Sequence, residues 1–210
     1  MTLAILTVDQ RGSQRGPDLV PDVLEALNAT GPGVPARAFE RTAGDEVQGV
    51  LDSGTAVVGR IALLLRSGSW NIGLGIGAVE LPLPDSTRAG RGEAFVLARQ
   101  AVNRAKQQPS RLAVAGAGAI ADVGGPAYRA EQIETVGWLW AGVLTRRSVR
   151  GWEVADLYAR GLTPAETAHS LGISQSAVSQ RAQAAGLTEA DRAARLLAAM
   201  IDEALTEAVR

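Results

Sequence analysis

In the run "NIGLGIGA" (71–78), glycine stands at positions 73, 75 and 77 and aliphatic residues at 72, 74 and 76. Side chains alternate across a strand, so this run has one aliphatic face and one bare face. Glycine on alternate positions lets a helix or a ligand lie against the backbone itself. The rest of the chain has to supply the sheet to which such a strand belongs.

Upstream, "LAILTVD" (3–9) is an apolar run ending at an acid, the pattern of a buried strand. A loop (11–17) follows, and Asp18 can cap a helix carrying Leu19, Val23, Leu24 and Leu27. "TGPGVP" (30–35) stops that helix. A strand over 36–42, a tight turn at 43–46 and a strand over 47–51 come next. Ser53 then caps a helix with Val57, Val58, Ile61, Leu64 and Leu65 on its inner face. With the glycine strand at 69–79, the order is β-α-β-β-α-β, that of a ferredoxin-like sheet. A helix (93–107), an apolar run (111–120) and a break at Gly124, Gly125 and Pro126 lead to a long helix at about 127–146. The expected class is α+β. A ferredoxin-like, palm-type domain (1–125) is followed by a connecting helix (126–145) and an all-α helix-turn-helix domain (146–210).

Composition narrows the chemistry. The chain has 210 residues, a net charge of −1, no cysteine and one histidine, His169. Disulfides, thiol catalysis and zinc–thiolate sites are excluded, and a histidine-based triad has too few members. A divalent cation such as Mg on carboxylate oxygens remains open. A near-neutral charge gives no global field for nucleic acid, so any such contact must be local. No run reaches the ~18 apolar residues of a membrane span, and the N-terminus lacks the basic start of a signal peptide. A cytoplasmic protein without membrane contact is expected.

The stretch "LTPAETAHSLGISQSAVSQRAQAAG" (162–186) carries the strongest local signal. Thr163 suits an N-cap, Pro164 the first helical position, and Glu166 completes a capping box. Gly172 permits the left-handed backbone of a sharp turn, and Ser174 opens a second helix. Ala168 is small where the helices would cross, while Ile173 and Val178 point inward. Gln175, Ser176, Ser179, Gln180 and Gln183 fall on one outward face, with donors and acceptors suited to base edges. The pattern closely resembles the helix-turn-helix of phage repressors and bacterial regulators, with the helix at 149–160 as its support. That resemblance implies base reading from the segment starting at Ser174 and phosphate contacts from Arg146, Arg147, Arg150 and Arg181. Residues 146–187 hold five arginines against three acids, a mildly basic balance. A trihelical unit serving only protein contacts has the same pattern. The stripe Ala193, Leu196, Leu197, Met200, Ile201, Ala204, Leu205 and Ala208 needs a partner, which is either a second copy or its own core.

In the expected sheet, the end of the first strand and the turn before the third meet at one edge. Asp9 and Asp45 then approach closely enough to share a divalent cation. "AGDEVQG" (43–49) and "IGLGIG" (72–77) resemble the hairpin and following strand of nucleotidyl cyclases and GGDEF enzymes. Over most of its length the chain is similar to the SatD family: an early strand ending in Asp, a "GDE-x-QG" hairpin, the "GLGIG" strand, a helix opening near "GEAFVLARQAV" (92–102) and a C-terminal helix-turn-helix. Gly12 stands where that family has a second acid, and Ala43 where a GGDEF turn has glycine. No lysine is near the hairpin in sequence, leaving Arg11, Arg15, Arg88 and Arg91 as cations for a phosphate. Arg88 and Arg91 precede a helix start, a place where an anion or nucleotide can bind. An ordinary Gly-Asp turn explains Asp45 equally well. These features point to a homodimeric regulator of double-stranded DNA. Its alternatives are a nucleotide- and metal-binding protein or enzyme of cyclase-like palm type, and a protein-interaction scaffold.

Overall fold

The computed structural model describes residues 1–29 and 33–207. The protein is α+β, built on a five-stranded mixed sheet. Its strands are β1 (Thr2–Gln10), β2 (Arg37–Arg41), β3 (Glu46–Leu51), β4 (Trp70–Ala78) and β5 (Leu112–Gly116). The spatial order is β2-β3-β1-β4-β5, antiparallel throughout except for the parallel β4–β5 pair. Helices α1 (Val20–Asn28), α2 (Gly54–Ser67), α3 (Glu93–Ala105) and α4 (Pro126–Thr145) belong to this part of the chain.

The glycine stripe is the bed of a helix. A Cβ at Gly73 would come within 2.2 Å of the Val102 backbone, and one at Gly75 within 2.3 Å of Ala94 and Ala98 backbone atoms. The small residues Ala94, Ala98, Ala101 and Ala105 of α3 are the facing side, all buried. The opposite face of β4, with Ile72, Leu74 and Ile76, belongs to the main core shared with α1, α2 and α4. Both faces of the sheet are thus covered, which explains why its central strands read as nearly continuous apolar runs.

Three further helices, α5 (Val149–Ala159), α6 (Pro164–Leu171) and α7 (Gln175–Ala184), form a compact module around Val154, Ala168 and Val178. Its caps are local and follow the sequence. Ser148, Thr163 and Ser174 each accept a hydrogen bond from a backbone N–H of their helix, and Thr163 with Glu166 closes the capping box. Gly172 turns the chain between α6 and α7 at φ +63°.

Helix α8 (Leu187–Glu207) starts beside this module, where Leu187 packs on its core, and then returns to the sheet. Leu197, Ile201 and Leu205 are buried in the main core, with Ala193, Met200 and Ala204 packed against it. A Cβ at Gly54 would lie 2.0 Å from the Ala198 carbonyl oxygen, so α2 and α8 touch backbone to backbone. Asp202 accepts the Gly54 N–H at 2.6 Å, holding the start of α2. The apolar stripe of α8 is therefore covered from within the chain by α2 and α4, leaving Leu196 exposed; Ala208 lies outside the described residues. Among the described residues no helix is long and apolar enough to cross a membrane.

Candidate functional site

Helix α7 presents the polar face that its sequence foretells. Val178 is fully buried against Val154 and Ala168, and this contact fixes the rotation of the helix. Gln175, Ser176, Ser179, Gln180 and Gln183 are all exposed. The Ser174 hydroxyl caps Ala177 N–H at 3.2 Å and shares a hydrogen bond with Ser176 at 3.1 Å. Ser179 donates to the Gln175 carbonyl, while no hydrogen bond holds the three glutamine amides among the described residues.

The four arginines expected at phosphates divide into two pairs. Arg146 and Arg150 are exposed, Arg146 with its Nε donating to the Gly142 carbonyl at 2.7 Å. Arg147 is half-buried, with its guanidinium 4.4 Å from the Trp152 ring centre and its Nε donating to the Ala185 carbonyl at 3.0 Å. Burial, and then the charge of Arg66, push the Arg147 guanidinium below its usual range. Arg181 is half-buried and lies 3.6 Å from the Glu153 carboxylate. Arg147 and Arg181 thus fasten the module, and Arg146 and Arg150 are the two presented to solvent.

A staple joins the module to the sheet. Arg66 of α2 donates two hydrogen bonds to Asp156 of α5, at 2.7 and 2.9 Å. Its guanidinium also covers Trp152, 4.6 Å from the ring centre, so Trp152 has an arginine from each side of the joint. The hydrogen bond from Arg66 holds the Asp156 carboxyl below its ordinary value.

Asp9 and Asp45 line one open cleft of about 550 Å³ at the end of β1, together with Arg11, Arg15, Asn71 and Lys106. Pairing of Asp9 with Glu46 across β1–β3 brings the strand end and the hairpin together, as the topology requires. Asp9 is engaged: Lys106 Nζ donates to one oxygen at 3.0 Å and Asn71 Nδ2 to the other at 3.2 Å. The expectation of no lysine beside the hairpin is corrected here. Lys106, the only lysine of the chain, follows the end of α3 and reaches the cleft across 97 residues of sequence. Sequence offered one signal, a lone lysine in an arginine-rich chain, but no local spacing links it to Asp9. Asn71 is buried, and its Oδ1 has no hydrogen-bond partner among the described residues. The third acid of the hairpin, Glu46, is bound by Arg99 at 2.9 Å and Thr42 at 2.6 Å. Among the described residues there is no group of three or more acidic or histidine ligands arranged for a metal.

Arg88 and Arg91 are exposed in the loop before α3. The carboxylate of Glu40 accepts from Ser86 at 2.6 Å and from the Arg88 N–H at 3.3 Å, so this loop already has an anion from its own chain. The chain matches no protein-family model, no curated protein and no solved structure.

Proposed function

We propose that the protein is a DNA-binding regulator in which α7 enters the major groove of double-stranded DNA. The observation that carries this reading is the exposed glutamine and serine face of α7, held in place by Val178 on Val154 and Ala168. Glutamine can pair with adenine in two hydrogen bonds, and short hydroxyls accept or donate to any base edge. Ser174, Gln175, Ser176, Ser179, Gln180 and Gln183 are the base-reading set, and Arg146 and Arg150 contact phosphate. Arg147 and Arg181 act from behind, by fixing α5 and α7.

The antiparallel order β2-β3-β1-β4 supports a ferredoxin-like, palm-type sheet of the kind found in the SatD family, with β5 added at its edge. A module with only three exposed arginines, Arg146, Arg150 and Arg160, binds DNA weakly alone, so a homodimer that doubles its phosphate contacts fits the reading. Its seam is a surface other than the buried stripe of α8.

Changing Gln175 and Gln180 together to Ala abolishes preference for the best site, a loss of about 1–3 kcal/mol for each bidentate base contact. Changing Arg150 to Gln weakens binding to all sequences alike. Fluorescence anisotropy on the full chain measures both, and unchanged preference in the glutamine pair variant contradicts the reading.

The unpartnered Asn71 Oδ1 beside Asp9 favours a second reading, a nucleotide- and divalent-cation-binding cleft. Magnesium sites commonly use one or two carboxylates with phosphate oxygens and water. Asp9, Asp45 and Asn71 match that donor set, with Lys106 moving from Asp9 to phosphate and Arg11 and Arg15 beside it. Magnesium-dependent binding of a nucleoside triphosphate, lost in Asp45→Asn, is its test.

A further inference from the structure

At the end of the sheet where β1 finishes and β4 and β5 begin, a cleft of about 320 Å³ opens between the sheet and the α5–α7 module. Four of the residues that line it are arginines: Arg11 after β1, Arg66 of α2, Arg111 before β5 and Arg147 before α5. No acidic residue lines it among the described residues.

Like charges gathered in one concavity repel each other, and carboxylates of the chain would be their natural partners. Asp156 is the acid at this joint, and both of its oxygens are taken by Arg66. Arg11, Arg111 and Arg147 form no ion pair among the described residues. Each donates instead to a backbone carbonyl: Arg11 Nη1 to Gly68 at 2.7 Å, Arg111 Nη1 to Lys106, and Arg147 Nε to Ala185 at 3.0 Å. A carbonyl fixes the position of a guanidinium but leaves it its charge and most of its donors. At Arg147, burial and then repulsion by Arg66 outweigh the pull of Asp156, and the guanidinium is pushed below its usual range.

The backbone adds an independent observation. Arg111 has φ +56° and is the only non-glycine residue with positive φ among the described residues. Its N–H donates to the Gln108 carbonyl at 3.1 Å, and its carbonyl accepts from the Ile72 N–H at 2.8 Å, so the turn and the start of β4 fix this conformation. Glycine is the residue that adopts it freely. An arginine kept there is local strain of the kind that gathers at binding sites.

We infer that this cleft binds a diphosphate group, free or at the end of a nucleotide, without a metal ion. Guanidinium forks match phosphate oxygens with paired hydrogen bonds. A single phosphate carries about two negative charges at neutral pH. A diphosphate offers a longer row of oxygens and more charge, and so answers the three arginines that lack an ion pair. The Trp152 ring already carries Arg66 and Arg147, so the site reads phosphate rather than a base. Arg11 and Arg111 belong to the sheet and Arg147 to the module, so a ligand that engages all three favours the closed joint. The site needs neither the DNA-binding reading nor the Asp9 cleft, with which it shares Arg11 alone.

Calorimetry on the full chain with pyrophosphate, ADP and inorganic phosphate tests this, in EDTA and at about 0.15 M salt to screen non-specific charge. We expect one-site binding of pyrophosphate and ADP, with inorganic phosphate roughly tenfold weaker or more. Equal affinities assign a free diphosphate as the ligand, and tighter ADP binding a nucleoside diphosphate. In Arg111→Gly the affinity falls about tenfold or more, while the thermal midpoint does not drop, because glycine accepts φ +56°. Arg11→Gln, at an exposed position, weakens binding likewise. Asp45→Asn leaves it unchanged, which separates this site from the Asp9 cleft. Amide exchange in α5 slows when pyrophosphate is bound, and unaltered exchange there overturns the bridging of the joint. The site itself is overturned if neither diphosphate binds in the millimolar range, or if inorganic phosphate binds as tightly as pyrophosphate. Affinity equal to the parent's in both arginine variants overturns it too, as does binding that needs magnesium and is lost in Asp45→Asn.

Discussion

Four side chains meet at the joint between the α5–α7 module and α2. Arg66 reaches from α2 to bind Asp156, and Trp152 lies under Arg66 and Arg147. The Arg66 and Asp156 side chains are nearly half exposed, so their ion pair contributes at most about 1 kcal/mol. Each cation–π contact adds about 0.5–1 kcal/mol. The joint is thus weak enough to open locally without unfolding the main core. Because its pair lowers the folded pKa of Asp156, the stabilisation is complete above the unfolded value of about 3.9 and fades as pH falls through the folded one. Amide exchange in α5 is therefore expected to report a closed joint from pH 8 to 5 and an opening one below about pH 4. Asp156→Asn removes that pH dependence. In Trp152→Ala, local opening becomes easier by about 1–2 kcal/mol at neutral pH, a change read from the same exchange experiment.

At the scale of the element, the sharpest constraint is the approach of α3 to β4. Any side chain at Gly75 would meet Ala94 and Ala98 backbone atoms, which cannot move aside as a flexible side chain does. Gly75→Ala is expected to cost at least about 2 kcal/mol through overpacking, seen as a lower denaturant midpoint. A midpoint equal to that of the parent protein would show that α3 shifts freely on its bed. This contact was legible in sequence because glycine at 73, 75 and 77 states that something lies close. The caps at Ser53, Thr163 and Ser174 were legible too, since a cap and its partner are three residues apart. The partner of α8 was not. An amphipathic stripe shows that a helix must be covered, but Leu197 and Ile201 carry no mark that selects α2 and α4 over a second copy. Lys106 on Asp9 and Arg66 on Asp156 were hidden for the same reason: charge pairs far apart in sequence leave no periodic trace.

Across the whole molecule, the chain leaves the sheet through α4, builds the module, and comes back through α8. The module is therefore held at both ends by helices rooted in the main core. Residues 146–210 taken alone would strip Leu197, Ile201 and Leu205 of their partners, so the full chain is the unit for any binding study. The Asp9 cleft lies at one end of the sheet, and α7 faces solvent apart from it. This arrangement leaves the polar face of α7 exposed and clear of the sheet. The most direct measurement is retention of genomic fragments from its own source by the purified full chain over a salt series. The account predicts that a few fragments are held selectively, that retention weakens steadily with salt, and that Gln175→Ala with Gln180→Ala removes the selection but not the residual salt-dependent binding. Retention of no fragment at low salt, or an identical fragment set for the variant and the parent, would contradict it.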